Sequence, residues 1–131
     1  MKARFTGLDA EELIARIRRG VEYSVVAQLQ IAMDLSVGEL SWLVDIAPRT
    51  LSRRKNEGKL SKDESERAVR IRRLWERALE VFEGDAVRAR EWFRTPVFSL
   101  GEKSPLEFSD TEPGAQEVLA LLGRIEHGLG A

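Results

Sequence analysis

Ser36-Val37-Gly38-Glu39-Leu40-Ser41-Trp42-Leu43-Val44-Asp45-Ile46-Ala47-Pro48-Arg49-Thr50-Leu51-Ser52-Arg53-Arg54-Lys55-Asn56-Glu57-Gly58 is the stretch that decides the fold. Ser36 and Glu39 form a capping box. The serine oxygen can accept from the Glu39 amide, and the glutamate can reach back to the Ser36 amide. The helix opened there covers about Val37–Val44 and is expected to bury Val37, Leu40, Leu43 and Val44. Asp45-Ile46-Ala47 is too short for anything but a turn. Pro48 suits the first turn of a second helix, and Gly58 ends it. Two short helices joined in this way read as a helix-turn-helix.

The second of these helices has an unusual surface. Leu51 is its one sizeable apolar residue, and no acid appears before Glu57. Arg49, Ser52, Arg53 and Asn56 recur at three- and four-residue spacing, so they share a face. A plain solvated basic helix is the ordinary alternative. Arginine can read guanine edges bidentately and asparagine adenine, while threonine, serine and lysine grip phosphates. Arg49, Thr50, Ser52, Arg53, Arg54, Lys55 and Asn56 are therefore the candidate DNA-contacting residues.

Outward from this motif the period stays helical, so the expected class is all-α. Upstream, Asp9 caps a helix over Ala10–Arg19 with Leu13, Ile14 and Ile17 on one side. Another runs through Val25, Val26, Leu29 and Ala32/Met33. Downstream, Ser61-Lys62-Asp63-Glu64 is a second capping box, opening the longest helix, about 62–82. Ala68, Ile71, Leu74/Trp75, Ala78/Leu79 and Phe82 form its stripe, with Arg67, Arg70, Arg73 and Arg77 off it. A helix over 85–93 follows, then a loop from Thr95-Pro96 to Pro105. Pro105–Phe108 is expected as one short turn. Thr111 caps a last helix carrying Val118, Leu121, Leu122, Ile125 and Leu129 on one side. The expected division is 1–60 and 61–131, with 62–82 as the linking helix.

Composition narrows the functions. The 131 residues include no Cys and one His, which removes disulfides, cysteine-ligated metals and thiol nucleophiles. No metal or cofactor site is read from the sequence. No apolar run reaches the ~18 residues of a membrane span, and the start has no secretory h-region, so the cytoplasm is expected. The net charge of −1 first argues against nucleic acid. It is unevenly spread: +2 over 1–60, +1 over 61–94, −4 over 95–131, and +6 within 49–73. A basic middle and an acidic end suggest two surfaces with different partners.

Nothing amounts to catalytic machinery. Glu126 and His127 are adjacent and point about 100° apart on a helix, a poor geometry for a working pair. A histidine near a helix C-terminus is ordinary, since imidazolium suits the dipole. No enzyme activity is expected. Trp42, Trp75 and Trp92 suit a core, although Trp42 falls off its helix stripe and is expected half-exposed. Pro96-Val97-Phe98-Ser99-Leu100 shows apolar residues with no helix to bury them. They form either a small core cluster or a partner's anchor.

From residue 48 onward these pieces resemble the Xre/MbcA/ParS-type antitoxins. Pro48-Arg49-Thr50-Leu51-Ser52-Arg53-Arg54 and Leu60-Ser61-Lys62-Asp63-Glu64-Ser65-Glu66-Arg67 look like the family's R-T-L-x-R-R and L-S-x-x-E-S-x-R. Ala89-Arg90-Glu91-Trp92-Phe93-Arg94-Thr95-Pro96, then Leu100-Gly101 and Ser104-Pro105-Leu106, are similar to later motifs. Gly114, Val118 and Leu121-Leu122-Gly123-Arg124-Ile125-Glu126-His127-Gly128 resemble its ending. The resemblance covers about 40–130; residues 1–35 match poorly. Glu102 stands where a second glycine is usual, Val97 for asparagine and Phe93 for leucine.

The resemblance implies an Xre-like helix-turn-helix in front and a toxin-binding domain behind. It also implies a cognate RES-type toxin that consumes NAD and is encoded next door. Members act as homodimers, cover the toxin's active-site entrance and repress their own operon by binding operator DNA. Trp92, Pro96, Phe98, Leu100, Pro105, Leu106, Arg124, Glu126, His127 and Leu129 are the implied toxin-binding residues. The acidic end suits a cationic NAD pocket, with Glu126 reaching a basic toxin residue; its ordinary role is to cap the last helix. The alternatives are a stand-alone helix-turn-helix regulator with a ligand-sensing or dimerisation C-terminal domain, and an interaction protein without DNA binding.

Overall fold

The structure is a computed structural model that describes residues 5 and 7–128. Leu129 lies outside them. Among the described residues there are eight α-helices and no strand, the expected all-α class. They are α1 (Ala10–Arg19), α2 (Ser24–Ala32), α3 (Val37–Val44), α4 (Pro48–Glu57), α5 (Lys62–Val81), α6 (Ala86–Arg94), α7 (Pro105–Phe108) and α8 (Glu112–Glu126). A 3-10 turn, Phe98–Leu100, sits between α6 and α7. The chain divides into two compact units, Met1–Arg73 and Leu74–Ala131. The division falls inside α5, whereas the sequence pattern put it at the start of that helix. The apolar stripe serves one core before Arg73 and another after it, so the pattern itself has no break there.

In the first unit Val25, Val26, Leu29, Leu40, Leu43, Val44, Leu51, Ala68 and Ile71 form the core. Asp9 caps α1 through the Glu12 amide at 2.8 Å, and the Ser36–Glu39 box closes in both directions. One expectation fails. Val37 is 54 % exposed, because the first helical residue extends past the core that Leu40 and Leu43 reach. Helix α1 fully buries none of its residues, and Ile14 is exposed. Tertiary hydrogen bonds at its end hold it instead: the Val21 amide donates to Ser65 Oγ (2.9 Å) and the Leu60 amide to the Val21 carbonyl (2.9 Å). Gly20 lets these turns meet, since a Cβ there would lie 2.3 Å from the Leu60 oxygen.

The second unit packs Trp75, Ala78, Phe93, Ala115, Val118, Leu121 and Leu122. Trp92 lies edge-on to Phe93, with ring centroids 5.1 Å apart, and 6.0 Å from Phe82. The expected loop after α6 is a built turn. An antiparallel bridge joins Val97 and Lys103, and Val97 and Leu100 pack with Leu121 of α8. Ser104 and Glu107 close a capping box that opens α7.

Glu102, where the resemblance expects glycine, has φ +66°. A side chain is strained in this left-handed region. Glu102→Gly is therefore expected to stabilise the protein by about 0.5–1 kcal/mol. Gly114→Ala should do the reverse, losing roughly 2–4 kcal/mol, because its Cβ would lie 1.8 Å from the Phe108 carbonyl oxygen. Urea unfolding of the two variants checks both signs.

Candidate functional site

Helix α4 is the candidate DNA-facing element. Its N-terminus has no side-chain cap, and Pro48 occupies the first turn. The amides there are available to an anion, and the dipole favours one. Leu51 is buried and roots the helix in the core. Arg49, Ser52, Arg53, Lys55 and Asn56 are exposed, and Thr50 is half-buried. Arg49, Ser52, Arg53 and Asn56 thus form the polar ridge that their spacing described.

Arg54 faces elsewhere. Its Nε donates to Glu64 Oε1 at 2.7 Å, and its Nη1 to Glu57 Oε1 at 2.9 Å. Glu64 also accepts from the Ser61 amide at 2.8 Å. Burial pushes the Glu64 carboxyl up, but the hydrogen bonds from Arg54 and Ser61 outweigh it and hold it below the usual carboxylate range. The same two glutamates raise Arg54 above its ordinary value. Arg54 therefore joins α4 to α5.

Arg67 is a structural residue that sequence reading missed. Its Nε donates to the Val44 carbonyl at 2.7 Å and its Nη2 to the Asp45 carbonyl at 3.0 Å. Asp45 is the left-handed cap of α3, with φ 52°, so Arg67 satisfies carbonyls that the helix end leaves open. Arg72 is fully buried, with Nη1 3.4 Å from Gln28 Oε1 and its guanidinium 5.9 Å from the Phe5 ring centroid.

The second candidate surface lies in the C-terminal unit. Leu100, Pro105 and Leu106 are buried, so they support a surface and do not present one. Trp92 is half-buried against the same cluster. Pro96 is exposed, and Phe98 is 87 % exposed on a turn whose neighbours Val97 and Leu100 are core. The apolar loop is thus both core cluster and exposed anchor, divided residue by residue.

Arg124, Glu126 and His127 are exposed at the end of α8. Glu126 has a partner in its own chain. Arg77 Nη1 donates to Glu126 Oε2 at 3.0 Å, and its Nη2 donates to Oε1. Hydrogen bonding to Arg77 lowers the Glu126 pKa against a smaller effect of burial. No local spacing signals a pair so far apart in the chain.

An exposed basic helix set in a helix-turn-helix, followed by a helical unit with its own core, defines a DNA-binding protein with an added interaction domain. Residues 12–73 match the family model of the antitoxin Xre-like helix-turn-helix domain. Residues 77–128 match that of the antitoxin Xre/MbcA/ParS C-terminal toxin-binding domain. The chain is 34 % identical over 126 residues to the antitoxin Xre of Photorhabdus laumondii, covering 95 % of this chain and 85 % of that one. It is 35 % identical over 118 residues to the antitoxin Xre of Yersinia enterocolitica, covering 89 % and 80 %. The chain belongs to the Xre antitoxin family. The match begins at residue 12, earlier than the motif resemblance reached.

The Arg54–Glu64 contact makes a pH prediction. The Glu64 pKa is lowered on folding, so its contribution is full above the unfolded value of about 4.3 and is lost as pH falls through the folded value. Glu64→Gln should cost about 1–3 kcal/mol at neutral pH. The gap from the parent protein should narrow in acid below about pH 4. Urea titrations across that range measure it.

Proposed function

We propose that this antitoxin neutralises a RES-type, NAD-consuming toxin encoded beside it, covering the toxin's active-site entrance with its C-terminal segment. In the same reading a homodimer in the cytoplasm binds operator DNA through α4 and represses the operon. Any catalysis belongs to the toxin. The observation that carries the toxin reading is Phe98, an 87 % exposed aromatic on a turn anchored in the core. It falls within the stretch that matches the toxin-binding family model. Exposed aromatics on rigid supports make strong interface anchors. Arg124, His127 and Leu129 extend the proposed surface, with Trp92, Leu100, Pro105 and Leu106 supporting it from beneath.

On the DNA side, the proposed contacts are Arg49, Thr50, Ser52, Arg53, Lys55 and Asn56. Arg54 acts there through its hold on α5. Replacing Arg49 and Arg53 with alanine should weaken operator binding and flatten its salt dependence by about two counterion units. An unchanged salt slope in gel shifts removes α4 from the interface.

On the toxin side, co-expression with the product of the adjacent reading frame is the test. Truncation after Gly123 should leave a folded protein that no longer protects cells. Phe98→Ala should weaken the complex by about 2 kcal/mol, roughly thirtyfold in Kd. Native mass measurement of the co-purified complex gives the copy number. Full protection by the truncated chain removes the C-terminal segment from the mechanism.

A further inference from the structure

Glu126 is the charged residue of the α8 end best placed, by sequence, to meet a basic toxin group. The structure gives its carboxylate another occupation. Both oxygens accept from the Arg77 guanidinium, and Arg77 also donates to Glu80 Oε2 at 3.2 Å. Arg77 is therefore braced on α5 while it grips the last residue of α8. A guanidinium with two parallel bonds to a carboxylate fixes orientation as well as distance.

The grip falls where the helix ends. The His127 amide donates to the Gly123 carbonyl at 3.1 Å, and the Gly128 amide to Ile125 at 3.0 Å. Gly128 then turns left-handed at φ +75°. The last turn of a helix frays unless something ties it. Leu121 and Leu122 are the last fully buried residues, and Arg124, Glu126 and His127 lie beyond them in solvent. Ile125 is half-buried between them, and the Arg77 contact is the side-chain hydrogen bond that ties the last turn.

We propose that Arg77 is a positioning residue for toxin recognition. By holding Glu126, it fixes the last turn of α8 so that Arg124 and His127 meet the toxin in one orientation. Glu126 is then spent inside the chain, and the direct contacts come from its neighbours. This rests on the reading of the C-terminal segment as toxin-binding. It follows the general rule that a binding group held in place beforehand loses less entropy on association.

The test uses the full chain and the toxin encoded beside it. Arg77→Ala and Glu126→Ala should each weaken toxin binding by roughly three- to tenfold. The charge swap, Arg77→Glu with Glu126→Arg, should return most of that loss, because the tie is rebuilt with its ends exchanged. Amide exchange at His127 and Gly128 should quicken in both single variants and slow again in the swap. Circular dichroism checks that each variant is folded. Unchanged toxin binding by Arg77→Ala overturns the proposal. So does a swap that binds no better than Glu126→Ala although exchange is restored, since Glu126 would then touch the toxin itself. If truncation after Gly123 leaves binding intact, the reading of the segment fails as a whole. If truncation abolishes binding and Arg77→Ala does not change it, only the positioning role fails.

Discussion

The helix-turn-helix depends on the polar side chains at the start of α5. Glu64 receives Arg54 from α4, Ser65 receives the Val21 amide from the α1–α2 turn, and Arg67 closes the open carbonyls at the end of α3. Helix α4 could not hold its place on packing alone. Leu51 is its single buried side chain, and burying one leucine stabilises by roughly 1.5–3 kcal/mol. Hydrogen bonds to charged groups at this edge add to it. The outer face of α4 can then be almost wholly polar, because the holding is done from behind.

This changes what the charge count means. The stretch 49–73 holds ten basic residues against four acidic ones. Arg54, Arg67 and Arg72 are engaged inside the protein, with glutamates, with backbone carbonyls, and with Gln28 and Phe5. Arg49, Arg53 and Lys55 remain exposed on α4. Lys59, Lys62 and Arg73 are exposed as well, so the engaged arginines reduce the positive surface without confining it to α4. A near-neutral chain can still bind a polyanion where exposed cations cluster, because phosphate contacts act over about a Debye length.

What the sequence revealed follows the range of the forces involved. Two of the three capping boxes and the caps at Asp9 and Thr111 were legible because each joins residues three apart; the third, Ser104–Glu107, has the same spacing but lies at the edge of a stretch with no helical period. The α4 ridge was legible because helical period fixes which residues share a face. The ties of Arg54 to Glu64, of Arg67 to the end of α3 and of Arg77 to Glu126 were not, since each joins two elements and no spacing rule connects them. The division of Val97, Phe98 and Leu100 was hidden for a related reason. Three apolar residues in a loop look alike until a turn sends two toward Leu121 and one outward. Glu102 was visible as a departure from the family pattern, but its meaning needed the backbone angle.

The same turn shows how a small domain can carry an exposed aromatic without a loose loop around it. A flexible loop bearing Phe98 would lose backbone freedom on binding, at about 1–2 kcal/mol per residue ordered. In this turn the backbone is already ordered. The Val97–Lys103 bridge, the buried Val97 and Leu100, and the Ser104–Glu107 cap fix the backbone on both sides. The cost is an apolar ring in water and a strained Glu102. Strain of this kind persists where the surrounding structure enforces it. A pre-formed anchor of this sort is what a binding surface needs if its affinity is to come from few contacts.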